Sequence, residues 1–246
     1  NTRYLAGASI ILPDRDYYIK DDAESKAIQK DYVAYLEKIM TLAGYSKKDA
    51  KRAAKNAYDV EYQIALAKKS RTEMRDVTKR YNVYSIAKLN EDFKGVDWSG
   101  YFAAIGVPQV TSVIVSDPGH VAKSVELFNS LKDQQIKDFF CVQYVNRSTS
   151  YLSDDFYKAS FDFYSTRLRG VKEMQPRWKR AMGVANNMLS MAVGQLYVEK
   201  YFPAESKAKM LKIVNDLRVA LAEQISELSW MSAETKVNAL VKLNSF

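Results

Sequence analysis

Two long apolar stripes between residues 176 and 230 place the strongest constraint on how this chain folds. In each stripe, apolar residues recur at the three- and four-residue steps that put them on one face of a helix. The first comprises Trp178, Ala181, Ala185, Met188, Leu189, Ala192 and Leu196. The second comprises Met210, Ile213, Val214, Leu217, Leu221, Ile225 and Leu228. Pro176 suits a first helical turn, whereas Pro203 interrupts the helix and separates the two stripes.

Two striped helices joined by one short break are expected to pack as a long helix hairpin. Trp178, Tyr197 and Trp230 lie on or beside the stripes. Since large aromatic side chains contribute heavily to packing, we predict that all three are substantially buried in this hairpin. Stripes of this kind are typical of any amphipathic core helix, so by themselves they indicate a fold class and no function.

Helical signals also run through the rest of the chain. Ser46 and Asp97 are placed to cap helices, because their side-chain oxygens accept the first free backbone N–H groups. Gly44 and Gly170 suit helix ends. Helices are predicted at about 28–44, 46–68, 85–93, 97–105, 117–131, 134–149 and 153–168, and from about 232 onward.

One segment favours a strand. From Gln109 to Ser116, β-branched residues are crowded between Pro108 and Pro118. A single strand needs a partner strand, for which the region before Asn1 is one source. The predicted fold class is therefore all-α, mainly helical with one small β element, as one large irregular and partial helical domain over residues 1–246.

Composition allows a sizeable core, since 47% of the 246 residues are hydrophobic. The net charge is +8, with basic residues concentrated in 47–80 and 167–180. A nucleic-acid interface is one interpretation of this charge. The first basic block, however, alternates with alanines at helical spacing, which is typical of a solvated helix face. We therefore predict no nucleic-acid binding, and no membrane span, since the apolar runs are far shorter than ~18 residues.

The sequence offers few groups for catalysis. Cys141 is the sole cysteine and His120 the sole histidine, so no thiolate or imidazole cluster is available for a metal. Cys141 lies in an apolar run and is predicted to be a buried small hydrophobe. His120 is predicted to be structural or exposed. The sequence contains no H-E-x-x-H, P-loop or nucleophile-elbow motif.

Several other polar pairs have ordinary explanations. Asp14 with Asp16, and Asp154 with Asp155, are typical of turns and caps. The triplet starting at Asn146 matches a glycosylation acceptor but falls in a predicted helix. We therefore predict no catalytic and no metal-ligating residue in this chain, and no substrate-binding residue is assigned.

The order of short motifs is more specific than the stripes. These motifs are Leu12-Pro-Asp-Arg-Asp-Tyr-Tyr18, Asp97-Trp98 with Tyr101-Phe102, Pro176-Arg-Trp-Lys-Arg180, Met191-Ala-Val-Gly-Gln-Leu-Tyr-Val198, Phe202, Ser206-Lys207 and Leu228-Ser-Trp-Met231 with Thr235. In content and order they resemble the neprilysin family of zinc metallopeptidases over nearly the whole chain. The resemblance places the chain in the family's helical amino-terminal domain, upstream of the zinc site.

The resemblance implies a role without a reaction. In the family, zinc and the catalytic residues lie in a carboxyl-terminal domain, while the helical domain closes over it as a lid and leaves a chamber for peptides. We therefore expect zinc in the parent protein and none in this chain. The expected partners are the protein's own carboxyl-terminal catalytic domain, after residue 246, and peptide substrates. The chain itself is expected to be an inactive fragment of a zinc metalloendopeptidase.

One departure from the family pattern bears on the source. Secreted animal members commonly carry a cysteine shortly after the Trp of the Pro-Arg-Trp motif, and Ala181 stands there in this chain. This suggests a bacterial-type member, which we expect to be extracytoplasmic, either periplasmic or at the cell surface. The alternative from composition is a basic all-α adaptor for acidic partners. An H-E-x-x-H helix downstream of Phe246 would decide for the peptidase.

Overall fold

Helices make up most of the chain in a computed structural model, which describes residues 3–246. Its internal contacts divide the chain into a first unit that ends at Met174 and a second unit, Gln175–Phe246. The prediction of one partial helical domain over residues 1–246 stays a prediction. The mainly helical fold class with a small β element is confirmed.

The first unit contains most of the helices. These are α1 (Asp16–Ile19), α2 (Ala23–Leu42), α3 (Lys47–Ala67), α4 (Ile86–Asp92), α5 (Trp98–Ala104), α6 (Pro118–Ser130), α7 (Asp133–Ser148) and α8 (Asp154–Ser160). A π-helical segment, Phe161–Arg167, continues α8, and 3-10 turns lie at Glu73–Arg75, Thr78–Arg80 and Thr149–Tyr151. The helices predicted for this part of the sequence are all present.

Local sequence explains where these helices begin and end. The side chains of Ser46 and Asp97 accept hydrogen bonds from the backbone N–H groups of Asp49 and Gly100, respectively. These bonds satisfy donors that the first turn of a helix leaves free. After α2, Gly44 has φ +91°, a left-handed conformation that glycine adopts without steric cost.

A three-stranded sheet lies beside α4, α5 and α6. It contains β1 (Tyr4–Leu5), β2 (Asn82–Ser85) and β3 (Ser112–Val115), in the order β1-β3-β2. β3 pairs in parallel with β1 and antiparallel with β2, so Ile114 lies between Tyr4 and Val83. The strand predicted within 109–116 is confirmed. Both of its partners lie within the chain, and β2 was missed because its four residues follow a polar connection and end at a helix cap.

Two main cores hold the first unit together. In one, a face of alanines on α3 (Ala50, Ala53, Ala54 and Ala57) allows close contact with buried residues of α2, including Tyr32, Leu36 and Ile39. In the other, Trp98 and Phe102 of α5 pack with Val113 and Val115 of β3. Cys141 was predicted to be a buried small hydrophobe; it packs against the first core but is only partly buried.

The second unit is formed by α9 (Arg177–Met188), α10 (Ser190–Tyr201), α11 (Ala204–Glu227) and α12 (Ala233–Leu243). The predicted break at Pro203 is confirmed. A further break falls at Leu189, whose φ of −120° and ψ of 31° interrupt the first striped helix. Ser232 caps α12 by accepting a hydrogen bond from the backbone N–H of Thr235, as the predicted start near 232 requires.

The predicted burial of the three large aromatic residues of the second unit is wrong. Trp178, Tyr197 and Trp230 are 64%, 59% and 75% exposed. Among residues 175–246, all of which the structure describes, only Ile225 and Leu243 are buried. A stripe buries its residues only where a second apolar surface faces it, and within this unit the stripes leave most of their side chains exposed.

Candidate functional site

The single histidine lies in the interior of the first unit. His120 is buried, and its backbone N–H donates to Asp117 at the start of α6. Burial, aided by the charge of Lys68, lowers the pKa of His120 to about 4, although the carboxylate of Asp117 acts in the opposite direction. The ring is therefore neutral at physiological pH. Its Nε2 has no hydrogen-bond partner among residues 3–246.

Residues 3–246 do not fit a zinc site. In the part of the chain that the structure describes, no three His, Cys, Asp or Glu side chains are close enough together to hold a metal ion. A catalytic zinc needs about three protein ligands, and the neutral ring of His120 has no second histidine or thiolate beside it. We derive no metal chemistry from these residues.

The other polar positions singled out in the sequence have structural roles. Asn146 is buried in α7, where its Oδ1 accepts hydrogen bonds from Tyr35 at 2.6 Å and Tyr164 at 3.2 Å. The acceptor side chain of the glycosylation triplet is therefore inaccessible in the folded unit. The carboxylates of Asp14 and Asp16 form ion pairs with Arg71 and Lys20. Asp154 and Asp155 lie in the first turn of α8, where negative charge is favourable.

A buried carboxylate joins four helices of the first unit. Glu61 of α3 is fully buried, and its Oε2 accepts hydrogen bonds from the hydroxyls of Tyr18 at 2.7 Å and Tyr32 at 2.9 Å. Its Oε1 accepts one from Nε2 of Gln143 at 2.6 Å. Burial raises the pKa of Glu61 to about 7, and the three hydrogen bonds only partly offset that rise. The sequence signal for this network was a Glu on the apolar stripe of α3.

An open groove of about 720 Å³ lies on the same side of α7 as Gln143. We call it the aromatic groove after the five aromatic residues that line it: Tyr101, Phe128, Phe139, Phe140 and Tyr144. The ring of Phe128 lies 5.6 Å from that of Phe139 and 6.0 Å from that of Phe140. The volume of the aromatic groove is within the range of pockets that bind small ligands or single side chains.

Polar groups border the same groove. Gln143 lines it, and the Oε1 of that side chain has no hydrogen-bond partner among the described residues. Arg147 is exposed, and its one hydrogen bond within residues 3–246 is a long contact of 3.5 Å to Ser9. The groove therefore combines aromatic walls with an unpaired cation. No role was predicted for Gln143 or Arg147 from the sequence, although their spacing on α7 places them on one face.

The second unit carries a different kind of surface. Along α10 and α11, stripe residues such as Leu196, Met210, Leu217 and Leu221 are 46% to 69% exposed. Soluble monomers rarely leave so much contiguous apolar surface open to water, and such patches mark sites of contact with other protein surfaces. None of the helices within residues 3–246 has the length and apolarity that crossing a membrane requires.

Comparison with known proteins gives a consistent result. A family model described as Peptidase family M13 matches residues 1–246. The chain is 29% identical to a neutral endopeptidase of Lactobacillus helveticus over 247 residues, which cover 100% of the chain and 37% of that relative. It is 28% identical to Neprilysin-2 of Drosophila melanogaster, with 96% of the chain and 32% of that relative covered.

A solved structure is similar over the same extent. The crystal structure of the Mycobacterium tuberculosis zinc metalloprotease Zmp1 in complex with an inhibitor matches with a TM-score of 0.82 and 28% identity. The match covers 100% of this chain and 37% of that one. The chain thus spans about a third of the length of the relatives that it matches.

Proposed function

Because the chain belongs to peptidase family M13, we propose that it forms the helical lid of a zinc metalloendopeptidase that cleaves peptides. The catalytic zinc site is assigned to a carboxyl-terminal domain of the parent protein. The lid closes over that domain and leaves a chamber that admits peptides and excludes folded proteins. On this proposal the chain alone is inactive, and the parent protein acts outside the cytoplasm, in the periplasm or at the cell surface.

The observation that carries the proposal is the exposed apolar surface of the second unit. Helices α9 to α12 leave Trp178, Leu217 and Trp230 in water, at an unfavourable free energy of roughly 25 cal/mol for each Å² of apolar area. A surface of this kind is stable when a further domain of the same polypeptide covers it. The short coverage of the relatives supports this reading, because about two thirds of their length lies outside the match.

The family membership favours this role over that of a basic adaptor. An adaptor for acidic partners would use the excess of basic side chains as its contact surface. Several of those side chains are already paired within the first unit, including Arg52 with Asp138 and Lys69 with Asp117. Much of the apolar surface, by contrast, lies in the second unit.

Three preparations test the proposal: the intact protein, the 246-residue chain, and the polypeptide that follows residue 246. Metal analysis, cleavage of short peptides and cleavage of a folded substrate are measured on each. The intact protein should contain zinc and cut short peptides while leaving the folded substrate uncut. The 246-residue chain should contain no stoichiometric zinc and should cut no peptide. Stoichiometric zinc and peptide cleavage by the 246-residue chain would place the chemistry here and end the proposal.

A matched pair of variants tests the proposed contact between the second unit and the carboxyl-terminal domain. In the intact protein, Leu217→Gln should lower the unfolding temperature and weaken the exclusion of folded substrates, because Leu217 belongs to the exposed stripe of α11. Lys212→Gln, on the same helix and paired with Asp216, is the control and should change neither property. If the two variants have the same unfolding temperature and exclude folded substrates equally well, the exposed stripe of α11 does not contact another domain.

A further inference from the structure

The aromatic groove has features of a binding site in its own right. Phe140, Gln143, Tyr144 and Arg147 stand at positions i, i+3, i+4 and i+7 of α7, so they lie along one face of that helix. All four line the groove. A guest lying along this face would meet an aromatic wall, an amide and a guanidinium within about two helical turns, or roughly 11 Å.

The apolar part of the groove is held in place before anything binds. Phe139 is buried, and its ring lies 5.3 Å from that of Phe140 in an edge-to-face arrangement. Phe128 contacts both rings. Phe140 is nevertheless 56% exposed and Tyr144 75% exposed. The ring contacts therefore fix the wall while leaving ring surface free for an apolar guest, which lowers the ordering cost of binding.

The charge of the groove identifies the polar part of the guest. No Asp or Glu side chain among residues 3–246 lies within 4.0 Å of the guanidinium of Arg147. The side chain of Tyr144, three residues before Arg147 on the same helix, is exposed, so its hydroxyl is accessible to a bound molecule. A guanidinium offers paired N–H donors that match a carboxylate, and the phenol adds another donor one helical turn or less away.

We propose that the aromatic groove binds a peptide segment in which an aromatic or large aliphatic side chain stands next to a carboxylate. The apolar side chain lies against Phe140 and Tyr144, and the carboxylate pairs with Arg147. The carboxylate belongs either to the carboxyl terminus of the peptide or to an acidic side chain beside the apolar one. The inference rests on the proposed function in one respect, that the bound peptide is a substrate held by the lid away from the catalytic domain.

Binding is measured on the intact protein by fluorescence anisotropy, with a metal chelator present so that metal-dependent cleavage does not consume the probe. Four fluorescein-labelled pentapeptides serve as probes. One ends in Phe with a free carboxylate, and the second is its carboxyl-terminal amide. The third is an amide that contains Phe followed by Asp, and the fourth has Ala in place of the Phe of the first. Peptides with both a ring and a neighbouring carboxylate should bind, and the second and fourth should bind at least tenfold more weakly.

Two groove variants and two matched controls locate the site. Arg147→Gln should weaken binding of the free-acid peptide roughly tenfold, since it removes a charge-assisted pair. Tyr144→Ala should weaken binding of every peptide that contains Phe. The controls are Arg80→Gln and Tyr81→Ala, which change exposed residues that do not line the groove and should leave binding unchanged.

The results distinguish the two sources of the carboxylate, and they distinguish failure of the groove proposal from failure of the proposed function. Binding of the first peptide alone assigns the carboxylate to the peptide terminus, and binding of the third alone assigns it to an acidic side chain. Equal affinity of the free acid and its amide would overturn the carboxylate part. Absence of binding to the intact protein would show that another part of the polypeptide fills the groove, and the proposal would be wrong. If the intact protein binds peptides through the groove but cleaves none when assayed without chelator, the proposed function is wrong and the binding site stands.

Discussion

The side-chain amide of Gln143 in α7 donates a hydrogen bond of 2.6 Å to Oε1 of Glu61 in α3. Gln143 also lines the aromatic groove, so one residue connects that groove with the buried carboxylate. Because the Oε1 of Gln143 has no partner within residues 3–246, its amide orientation depends on the charge of Glu61. A carboxylate accepts from the amide NH₂, whereas a protonated carboxyl would donate to the amide oxygen after a flip.

Replacing Glu61 tests the energetic effect of this burial. Burial raises the pKa of Glu61 from 4.5 to about 7, so between these values the folded chain holds a proton that the unfolded chain has lost. The free energy of unfolding therefore falls as pH rises through this range, by up to about 3 kcal/mol, and this group adds no further change above pH 7. Glu61→Gln should remove that fall and raise stability at pH 8.

Urea unfolding at pH 5 and pH 8 measures this effect. Glu91→Gln, at an exposed position of α4, is the control and should keep the pH dependence of the original chain. An unchanged difference between the two pH values in Glu61→Gln would mean that Glu61 has the same pKa in the folded and unfolded states.

A second prediction concerns the contact between α3 and α7. Asp138 of α7 is buried and accepts hydrogen bonds from Arg52 at 3.1 Å and Asn56 at 2.7 Å, both on α3. Asp138→Ala removes the acceptor of these two bonds and of a third, from Gln134 of α7 at 2.8 Å. It should therefore destabilise the chain by about 1–3 kcal/mol. Asp21→Ala, at an exposed position, should change stability by less than about 0.5 kcal/mol. Chemical denaturation measures the stability of both variants. Equal stability of the two would mean that Asp138 does not stabilise the contact between α3 and α7.

The third prediction concerns a close approach of backbone to a ring. A Cβ added to Gly7 would lie 2.6 Å from Nδ1 of His120, nearer than van der Waals contact allows. Since the ring is buried, Gly7→Ala should destabilise the chain by about 1–3 kcal/mol. In the double variant Gly7→Ala with His120→Ala, the ring is absent, so the added methyl should cost much less than it does alone. A thermal-unfolding cycle that shows additive effects would contradict the overlap.

The fourth prediction contrasts two tryptophans. Trp98 is buried and its indole N–H donates to the carbonyl of Phe93 at 3.1 Å, so Trp98→Ala should cost about 3–5 kcal/mol. Trp178 is exposed, so Trp178→Ala should change the stability of the 246-residue chain by less than about 0.5 kcal/mol. In the intact protein the same change should cost more, because a further domain is proposed to cover it. Guanidinium unfolding of the two forms tests both statements.

Local signals were enough to predict most of the helices from the sequence, although not the break at Leu189. Ser46, Asp97 and Ser232 cap the helices that their positions indicated, because a cap depends on neighbours three residues away. Whether Trp178 is buried or exposed could not be predicted in the same way. A stripe identifies which face of a helix is apolar, but the surface that covers this face is a property of distant parts of the polypeptide.

The groove and the Glu61 network show the same limit. Glu61 lies on the apolar stripe of α3, but its partners Tyr18, Tyr32 and Gln143 come from other helices, up to 82 residues away in the sequence. The spacing of Phe140, Tyr144 and Arg147 predicts a shared helix face. Whether this face is covered depends on α5 and α6, whose Tyr101 and Phe128 build the rest of the wall.

The order of the small sheet has a consequence for synthesis of the chain. β1 pairs only with β3, in a register that sets Tyr4 opposite Ile114, whereas β2 and β3 are separated by fewer than 30 residues. The loop between β1 and β3 is the longer one, so closing it costs more chain entropy and slows the pairing of these strands. On the ribosome, Tyr4 and Leu5 must wait for Val115 to emerge, so β1 is made well before the strand that accepts and donates its hydrogen bonds.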